Sequence, residues 1–273
     1  FAESLRPRPH NSHKGSYGDA IIVGGAHGMT GAAILAARAA AKCGAGRVFA
    51  AFVADPPAYD SMQPELMCRL AQDIDFSSGT LVVGPGLGNL PEAKALLSKA
   101  VDADAPLVLD ADGLNMLAVD PDLQDKLAQR KHPTLITPHP LEAARLLQLP
   151  VAQIQADRLT AARTLARQFH AIVILKGSGT VIAQPGDEIA INPTGSGALA
   201  TGGTGDVLAG ICGALLAQSW PGWHAALAAV WLHGHAADLL VQENTGPIGL
   251  TASELIPCVR IALNRLVEQY AKR

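Results

Sequence analysis

The run Ala200-Thr201-Gly202-Gly203-Thr204-Gly205-Asp206, followed at once by the apolar stretch Val207–Gln218, is where this chain is best equipped for chemistry. Glycines allow positive φ and a close approach of backbone to ligand. The free N–H groups at a helix start, together with the positive end of the helix dipole, favour a phosphate. A carboxylate beside such an anion site can accept a proton from an attacking hydroxyl. Asp206 is therefore read as the group that activates a hydroxyl for phosphoryl transfer. The plainer alternative is that Asp206 caps the helix, since Asp is a favoured N-cap, but a cap does not require the surrounding glycines and threonines.

These residues need elements to hold them. Strands are predicted at Ala20–Val23, Arg47–Val53, Thr80–Val83, Leu107–Leu109, Thr134–Ile136 and Ala171–Leu175. Helical patterns at Thr30–Lys42, Pro91–Ala100, Pro138–Leu147 and Val151–His170 alternate with them. A short helix follows Asp110–Asp112, a hairpin is predicted over Thr180–Ile191, and the chain from Thr204 onward reads as almost wholly helical. This alternation predicts an α/β fold, a mostly parallel sheet with helices on both faces. Strands buried on both faces explain continuous apolar runs such as Ile172–Leu175. No repeat or linker divides the sequence, so 1–273 is read as a single domain, with 1–12 as an extended N-terminal segment.

Ligands of open α/β sheets collect beyond the carboxyl ends of the strands. Here those ends carry Gly24-Gly25, Gly84-Pro85-Gly86-Leu87-Gly88, Asp110-Ala111-Asp112-Gly113, Thr137-Pro138-His139-Pro140 and Lys176-Gly177-Ser178-Gly179-Thr180. Each is weak alone; in succession on one predicted edge they describe a site. Asp110 and Asp112 could orient substrate or metal-bound water, or cap the helix that follows.

Composition removes several other classes. With 21 basic against 24 acidic residues the net charge is −3, without the basic footprint of a nucleic-acid binder. No apolar stretch reaches the ~18 residues that span a bilayer, and the polar start has no apolar signal core. A cytoplasmic location is the default expectation. Cys43, Cys68, Cys212 and Cys258 lie far apart with no C-x-x-C pair, and are read as buried thiols. No Walker A pattern occurs, and Gly24-Gly25-Ala26-His27-Gly28 does not fit a dinucleotide fingerprint. His233 and His235, two apart, point to different helix faces, so no protein metal site is predicted. Trp220, Trp223 and Trp231 are expected to pack helices.

The glycine turn ending at Asp206 resembles the anion hole and catalytic Asp of the ribokinase-like superfamily. A closer likeness lies in His13-Lys14-Gly15, Gly24-Gly25, Pro64-Glu65, Gly84–Gly88, Asp110-Ala111-Asp112, Thr137–Pro140 with Glu142, Lys176-Gly177 and Thr201–Asp206, in that order. Together these resemble the ADP/ATP-dependent NAD(P)H-hydrate dehydratase family, from about His13 to near Glu254. The resemblance implies a ribokinase-like three-layer α/β/α fold. It also implies a metabolite-repair lyase that returns (6S)-NADHX and (6S)-NADPHX to NADH and NADPH. Asp206 would take the proton of the hydrate hydroxyl as it attacks the terminal phosphate of ADP or ATP. Phosphate would then leave, pushed by the ring nitrogen lone pair.

By the same resemblance, Lys176, Gly177, Ser178, Gly179 and Thr180 bind the nucleotide, as do Gly203, Thr204 and Gly205. Ala20, Gly86, Gly88 and His139 contact the hydrated dinucleotide, with a structural His in a loop as the plainer reading of His139. Mg²⁺ would bridge the nucleotide phosphates, and a homotetramer is implied. The chain departs from the family at Ser196-Gly197-Ala198-Leu199, where an Asn-Pro-Gly-Met-like run is usual, and the epimerase domain that bifunctional relatives carry on the N-terminal side is not within this sequence. Two other readings stand beside this one: a ribokinase-like kinase of a vitamin-precursor alcohol, and a nucleotide or dinucleotide sensor without turnover.

Overall fold

The computed structural model describes residues 1–271. The elements run β1 (Asp19–Gly24), α1 (Thr30–Lys42), β2 (Arg47–Phe52), β3 (Met67–Leu70), β4 (Thr80–Val83), α2 (Pro91–Asp102), β5 (Leu107–Leu109) and α3 (Ala111–Leu117). Then come α4 (Pro121–Ala128), β6 (Thr134–Ile136), α5 (Pro140–Leu147), α6 (Val151–Ala156), α7 (Arg158–Phe169) and β7 (Ile172–Leu175). β8 (Val181–Ala183), β9 (Ile189–Ile191), α8 (Thr204–Ala217), α9 (Gly222–Gln242) and α10 (Ala252–Ala271) complete the chain. Segment 1–12 has one short 3-10 turn, Ala2–Ser4, and is otherwise irregular.

The strands form one nine-stranded sheet in the order β3-β2-β1-β4-β5-β6-β7-β8-β9. β3 through β7 are parallel, and the predicted hairpin adds β8 and β9 antiparallel at one edge. Alternation along each strand divides the core, because successive side chains point to opposite faces. Ala20, Ile22, Val82 and Ile174 pack under α1, α8, α9 and α10. Ile21, Val23, Leu81 and Val173 pack under α2, α3, α5 and α7 on the other face. The architecture is thus three layers, α/β/α, as the pattern predicts.

Two local expectations need correction. The pattern Val151–His170 is two helices, broken at Asp157, whose backbone (φ −145°, ψ 82°) leaves the helical region while its carboxylate accepts from Thr160 N at 2.9 Å. Asp157 thus ends α6 and caps α7, and cap formation outweighs the apolar periodicity running across it. Strand β3 has no counterpart in the predicted set. It lies at the sheet edge with its residues only partly buried, so neither alternation nor a continuous apolar run marks it.

Helix α8 crosses α1 at very close range. A Cβ on Gly210 would stand 2.1 Å from the carbonyl oxygen of Ala36, inside any allowed contact. Gly210→Ala should therefore cost about 1–3 kcal/mol by overpacking, read as a lowered thermal midpoint; an unchanged midpoint would show that the two helices can separate freely. That crossing matters for function, because it fixes the helix that begins three residues before Val207.

Candidate active site

The parallel strands deliver their carboxyl ends to one edge, and the loops there are laced together. Gly25 N donates to Pro85 O at 3.0 Å and Ala26 N to Gly86 O at 2.7 Å. A side chain on Gly24 would meet Pro85 O at 2.0 Å, so the loops after β1 and β4 touch backbone to backbone. Gly86 (φ 57°) and Gly88 (φ 72°) hold the left-handed turns of the second loop. Gly88 N in turn donates to Asp112 at 2.8 Å, which ties this loop to the start of α3.

Behind these loops lies a charged network. Lys176, just after β7, places Nζ 2.7 Å from Asp110 at the end of β5 and 3.7 Å from Glu142 in the first turn of α5. The carboxylates of Asp110 and Glu142 are only 2% and 4% exposed. Asp110 occupies the N-cap position of α3 but makes no capping hydrogen bond; its partner is Lys176, so the capping alternative does not hold. Burial pushes Glu142 up to about 7, with Asp110 adding to the shift and Lys176 opposing it. Burial alone would lower Lys176, but Asp110, Glu142 and Asp206 outweigh it and hold the ammonium above its ordinary value.

His139 caps α5. Its Nδ1 accepts from Leu141 N at 3.1 Å and Glu142 N at 3.2 Å, while Glu142 Oε2 accepts from His139 N at 2.7 Å. This reciprocal box fixes the ring. With Nδ1 an acceptor, Nε2 carries the proton of the neutral ring, and burial with the nearby Lys176 keeps the imidazole below its usual pKa. Nε2 lies 3.4 Å from Glu142 Oε1, and His139 is a structural cap as well. Glu142, which belongs to the motif set, carries no site role in the sequence reading. The spacing His139-x-x-Glu142 before an apolar run, a capping-box pattern with His in place of Ser or Thr, is the signal that would have found it.

Helix α8 supplies the remaining carboxylate. Gly203 takes φ 89° at the N-cap, with no side-chain cap, and Asp206 is the third helical residue. Asp206 is therefore not the cap. Thr204 Oγ1 closes the turn by donating to Leu199 O at 3.0 Å and Thr201 O at 3.1 Å. The Asp206 carboxylate has no hydrogen-bond or ion-pair partner among the described residues. Burial pushes it up to about 6; Asp110 and Asp112 add to the rise and Lys176 opposes it. Gly205 leaves the approach open: a Cβ there would lie 3.6 Å from Lys176 Nζ and 3.9 Å from Asp110 Oδ2.

Beside this helix start is a cavity of about 520 Å³, lined by Lys176–Thr180, by Ser196 and Leu199, and by Thr204, Gly205 and His233. Its glycine turn is held from below by Arg158, which donates to Ser178 O at 2.6 Å and Leu175 O at 2.9 Å. Nothing in the sequence marks Arg158, because its partners are carbonyls brought near by β7. Burial lowers the pKa of His233 to about 4, so the ring is neutral, while His235 stacks on Trp231. A larger cavity of about 990 Å³ sits around Gln218–Pro221 at the opposite end of α8 and contains none of the strand-end motifs.

The edge thus gathers Gly86, Gly88, Asp110, Asp112, His139, Lys176 and Asp206, with Gly177–Thr180, Thr204 and Gly205 around the adjoining cavity and Gly203 at the N-cap of α8. Ala20 does not belong with them. It is the second residue of β1, without exposed surface, paired with Val48 and Thr80 inside the sheet. The structure does not bring it to the edge with the others; Gly24, four residues on, is the last residue of β1. Among the described residues no three His, Cys, Asp or Glu side chains gather as a metal site, and no helix is long and apolar enough to cross a membrane.

With this geometry in place, likeness to known proteins becomes specific. The family model for NAD(P)H-hydrate dehydratase matches residues 20–259. The chain belongs to the NAD(P)H-hydrate dehydratase family. An ADP-dependent (S)-NAD(P)H-hydrate dehydratase of Neisseria meningitidis is 44% identical over 98% of this chain and 92% of its own length. A bifunctional NAD(P)H-hydrate repair enzyme of Coxiella burnetii is 40% identical, and there the match covers 95% of this chain and 53% of the relative. The chain therefore spans about half the length of the bifunctional relatives it matches. Among solved structures, an ADP/ATP-dependent NAD(P)H-hydrate dehydratase of Bacillus subtilis, crystallised with ATP and Mg²⁺, superposes with TM-score 0.82 at 31% identity, covering 98% of this chain and 95% of that one. The fold is ribokinase-like, as a superfamily protein of Enterococcus faecalis with TM-score 0.81 and 23% identity also illustrates. Every strand-end motif from Gly24 to Asp206 lies inside the matched span of this dehydratase-family chain.

Proposed function

We propose that this chain dehydrates (6S)-NADHX and (6S)-NADPHX to NADH and NADPH at the expense of ADP or ATP. The observation that carries the reading is Asp206: a carboxylate with no protein partner, in the first turn of a glycine-led helix, beside a cavity of nucleotide size. A base whose pKa has risen to about 6 is mostly ionised at neutral pH yet basic enough to accept a hydroxyl proton. The helix start at Gly203–Gly205 offers N–H groups to the phosphate being transferred, a preorganised electrostatic role. In this reading Lys176–Thr180 cradle the nucleotide, while Gly86, Gly88 and His139 contact the hydrated dinucleotide.

Transfer comes first: the substrate oxygen bonds to the terminal phosphorus, its proton passes to Asp206, and the shorter nucleotide leaves. A hydroxyl is a poor leaving group at neutral pH and a phosphate ester a much better one, so elimination follows. Mg²⁺ usually binds through one or two carboxylates plus substrate phosphates. Such an ion would arrive on the nucleotide and neutralise its phosphate charge, leaving the Asp206 carboxylate free to take the proton. A cytoplasmic homotetramer belongs to the same reading through the resemblance.

The test is direct. Purified protein given NADHX should regenerate the reduced-nicotinamide absorbance only when ADP or ATP is added, with inorganic phosphate released. No recovery with either nucleotide sinks the reading, and a stable phosphate ester as product would place the chain among the small-molecule kinases instead.

A further inference from the structure

Adding water across a ring double bond puts a hydroxyl on one carbon and a hydrogen on its neighbour. Reversing it therefore needs two proton acceptors, one for the hydroxyl proton and one for the carbon-bound proton. When the C–O bond of the phosphate ester breaks, the ring nitrogen lone pair forms an N=C bond, leaving an iminium and inorganic phosphate. The neighbouring C–H bond then breaks, its electron pair makes the C=C bond, and the iminium electrons return to nitrogen. Asp206 already holds the hydroxyl proton at that point. Resting on the reading above, we propose that Asp112 is the second base and removes the carbon-bound proton.

Lys176 and Asp110 lie 3.6 Å and 3.9 Å from where a Cβ on Gly205, next to Asp206, would stand, and Asp112 follows Asp110 in the first turn of α3. Asp110 is only 2% exposed and ion-paired at 2.7 Å, and Lys176 is a cation. Glu142, equally enclosed, spends one oxygen on His139 N at 2.7 Å. His139 uses Nδ1 as an acceptor from two backbone N–H groups, so its other nitrogen donates and cannot accept. Asp112 is half-buried in the first turn of α3. One oxygen accepts from Gly88 N at 2.8 Å, and the other has no partner among the described residues. The bond to Gly88 also holds this carboxylate against a loop assigned to the dinucleotide. Among the described carboxylates at this strand edge, Asp112 is restrained by a backbone N–H and still has an oxygen free to accept.

The consequence is a change in stoichiometry. Without its second base the iminium waits, water re-adds to it, and the hydrate returns to be phosphorylated again. In Asp112→Asn, whose amide oxygen can still accept from Gly88, restoration of NADH should fall by roughly 10²–10⁴-fold. Phosphate released per NADH formed should rise far above one. Substrate deuterated on the carbon beside the carbinol should show a larger isotope effect on NADH formation than in the unsubstituted enzyme, with none on nucleotide cleavage. Asp112→Glu, which keeps a carboxylate, should bring the ratio back towards one. A ratio of one in Asp112→Asn, or a ratio equally high in both variants, overturns the assignment. Failure of the unsubstituted enzyme to restore NADH at all would instead sink the dehydratase reading on which it rests.

Discussion

Asp206→Asn should lose roughly 10²–10⁴-fold in kcat while gaining stability at neutral pH. The two effects have one cause. The carboxylate is enclosed beside Asp110 and Asp112, which raises its pKa to about 6, whereas an unfolded Asp titrates near about 3.9. Between those values the native state binds more protons than the unfolded state. Stability due to this group therefore falls as pH rises through that window, and the penalty is complete above about 6. A rise of that size corresponds to about 2–3 kcal/mol, which an uncharged Asn would not incur. The melting temperature of Asp206→Asn should exceed that of the unsubstituted protein at pH well above 6 and converge with it at pH well below 4. Activity runs the opposite way: the acid limb of kcat should fall near pH 6, where the base becomes protonated. Nucleotide affinity, measured by titration, should survive the substitution. Retention of most activity would make Asp206 a bystander and favour a sensor, and a variant less stable at neutral pH would show that the carboxylate is held by favourable contacts.

How much of this is legible in the sequence depends on the range of the interaction concerned. The strand ends and the glycine turn before Asp206 are local facts: a left-handed Gly203 and a helix start are encoded within a few residues. The same is true of the glycines at Gly84–Gly88, whose closeness to the first loop follows once β1 and β4 are neighbours. Failures come where a local signal has a tertiary competitor. Asp157 sits inside a continuous helical pattern, and its side chain decides the break. β3 has little burial to leave a pattern. Ala20 enters the site by likeness alone, but its position near the start of β1 puts it inside the sheet, a matter of strand register. The ion pair of Lys176 with Asp110 spans 66 residues, and only the assembled sheet brings β5 and β7 to either side of β6.

That ion pair sets the second large effect. Lys176→Met should destabilise the protein by about 3–5 kcal/mol near neutral pH, the usual cost of removing one partner from a buried pair. Methionine fills the volume of the lysine stem, so packing loss adds little and the deficit reports charge. With the ammonium gone, Asp110 and Glu142 remain enclosed with no cation between them, and Asp206 loses its one opposing charge. Lys176 lowers the pKa of both Glu142 and Asp206, so its removal raises both above about 7 and about 6. Native carboxyls with raised pKa bind protons that the unfolded chain does not, and the stability of the variant therefore falls more steeply with rising pH. Denaturant titrations at pH 5 and pH 8 should show the deficit shrinking at the lower pH, where Glu142 and Asp206 are neutral and need no counter-charge. The acid limb of any remaining activity should move upward, because Asp206 ionises later. A deficit of equal size at both pH values would mean that Lys176 acts through packing, and no deficit at all would mean that solvent screens the pair. The cation thus does two jobs through one charge: it keeps three neighbouring carboxyl groups compatible with a folded interior, and it holds Asp206 ionised at the pH where a hydroxyl proton must be taken.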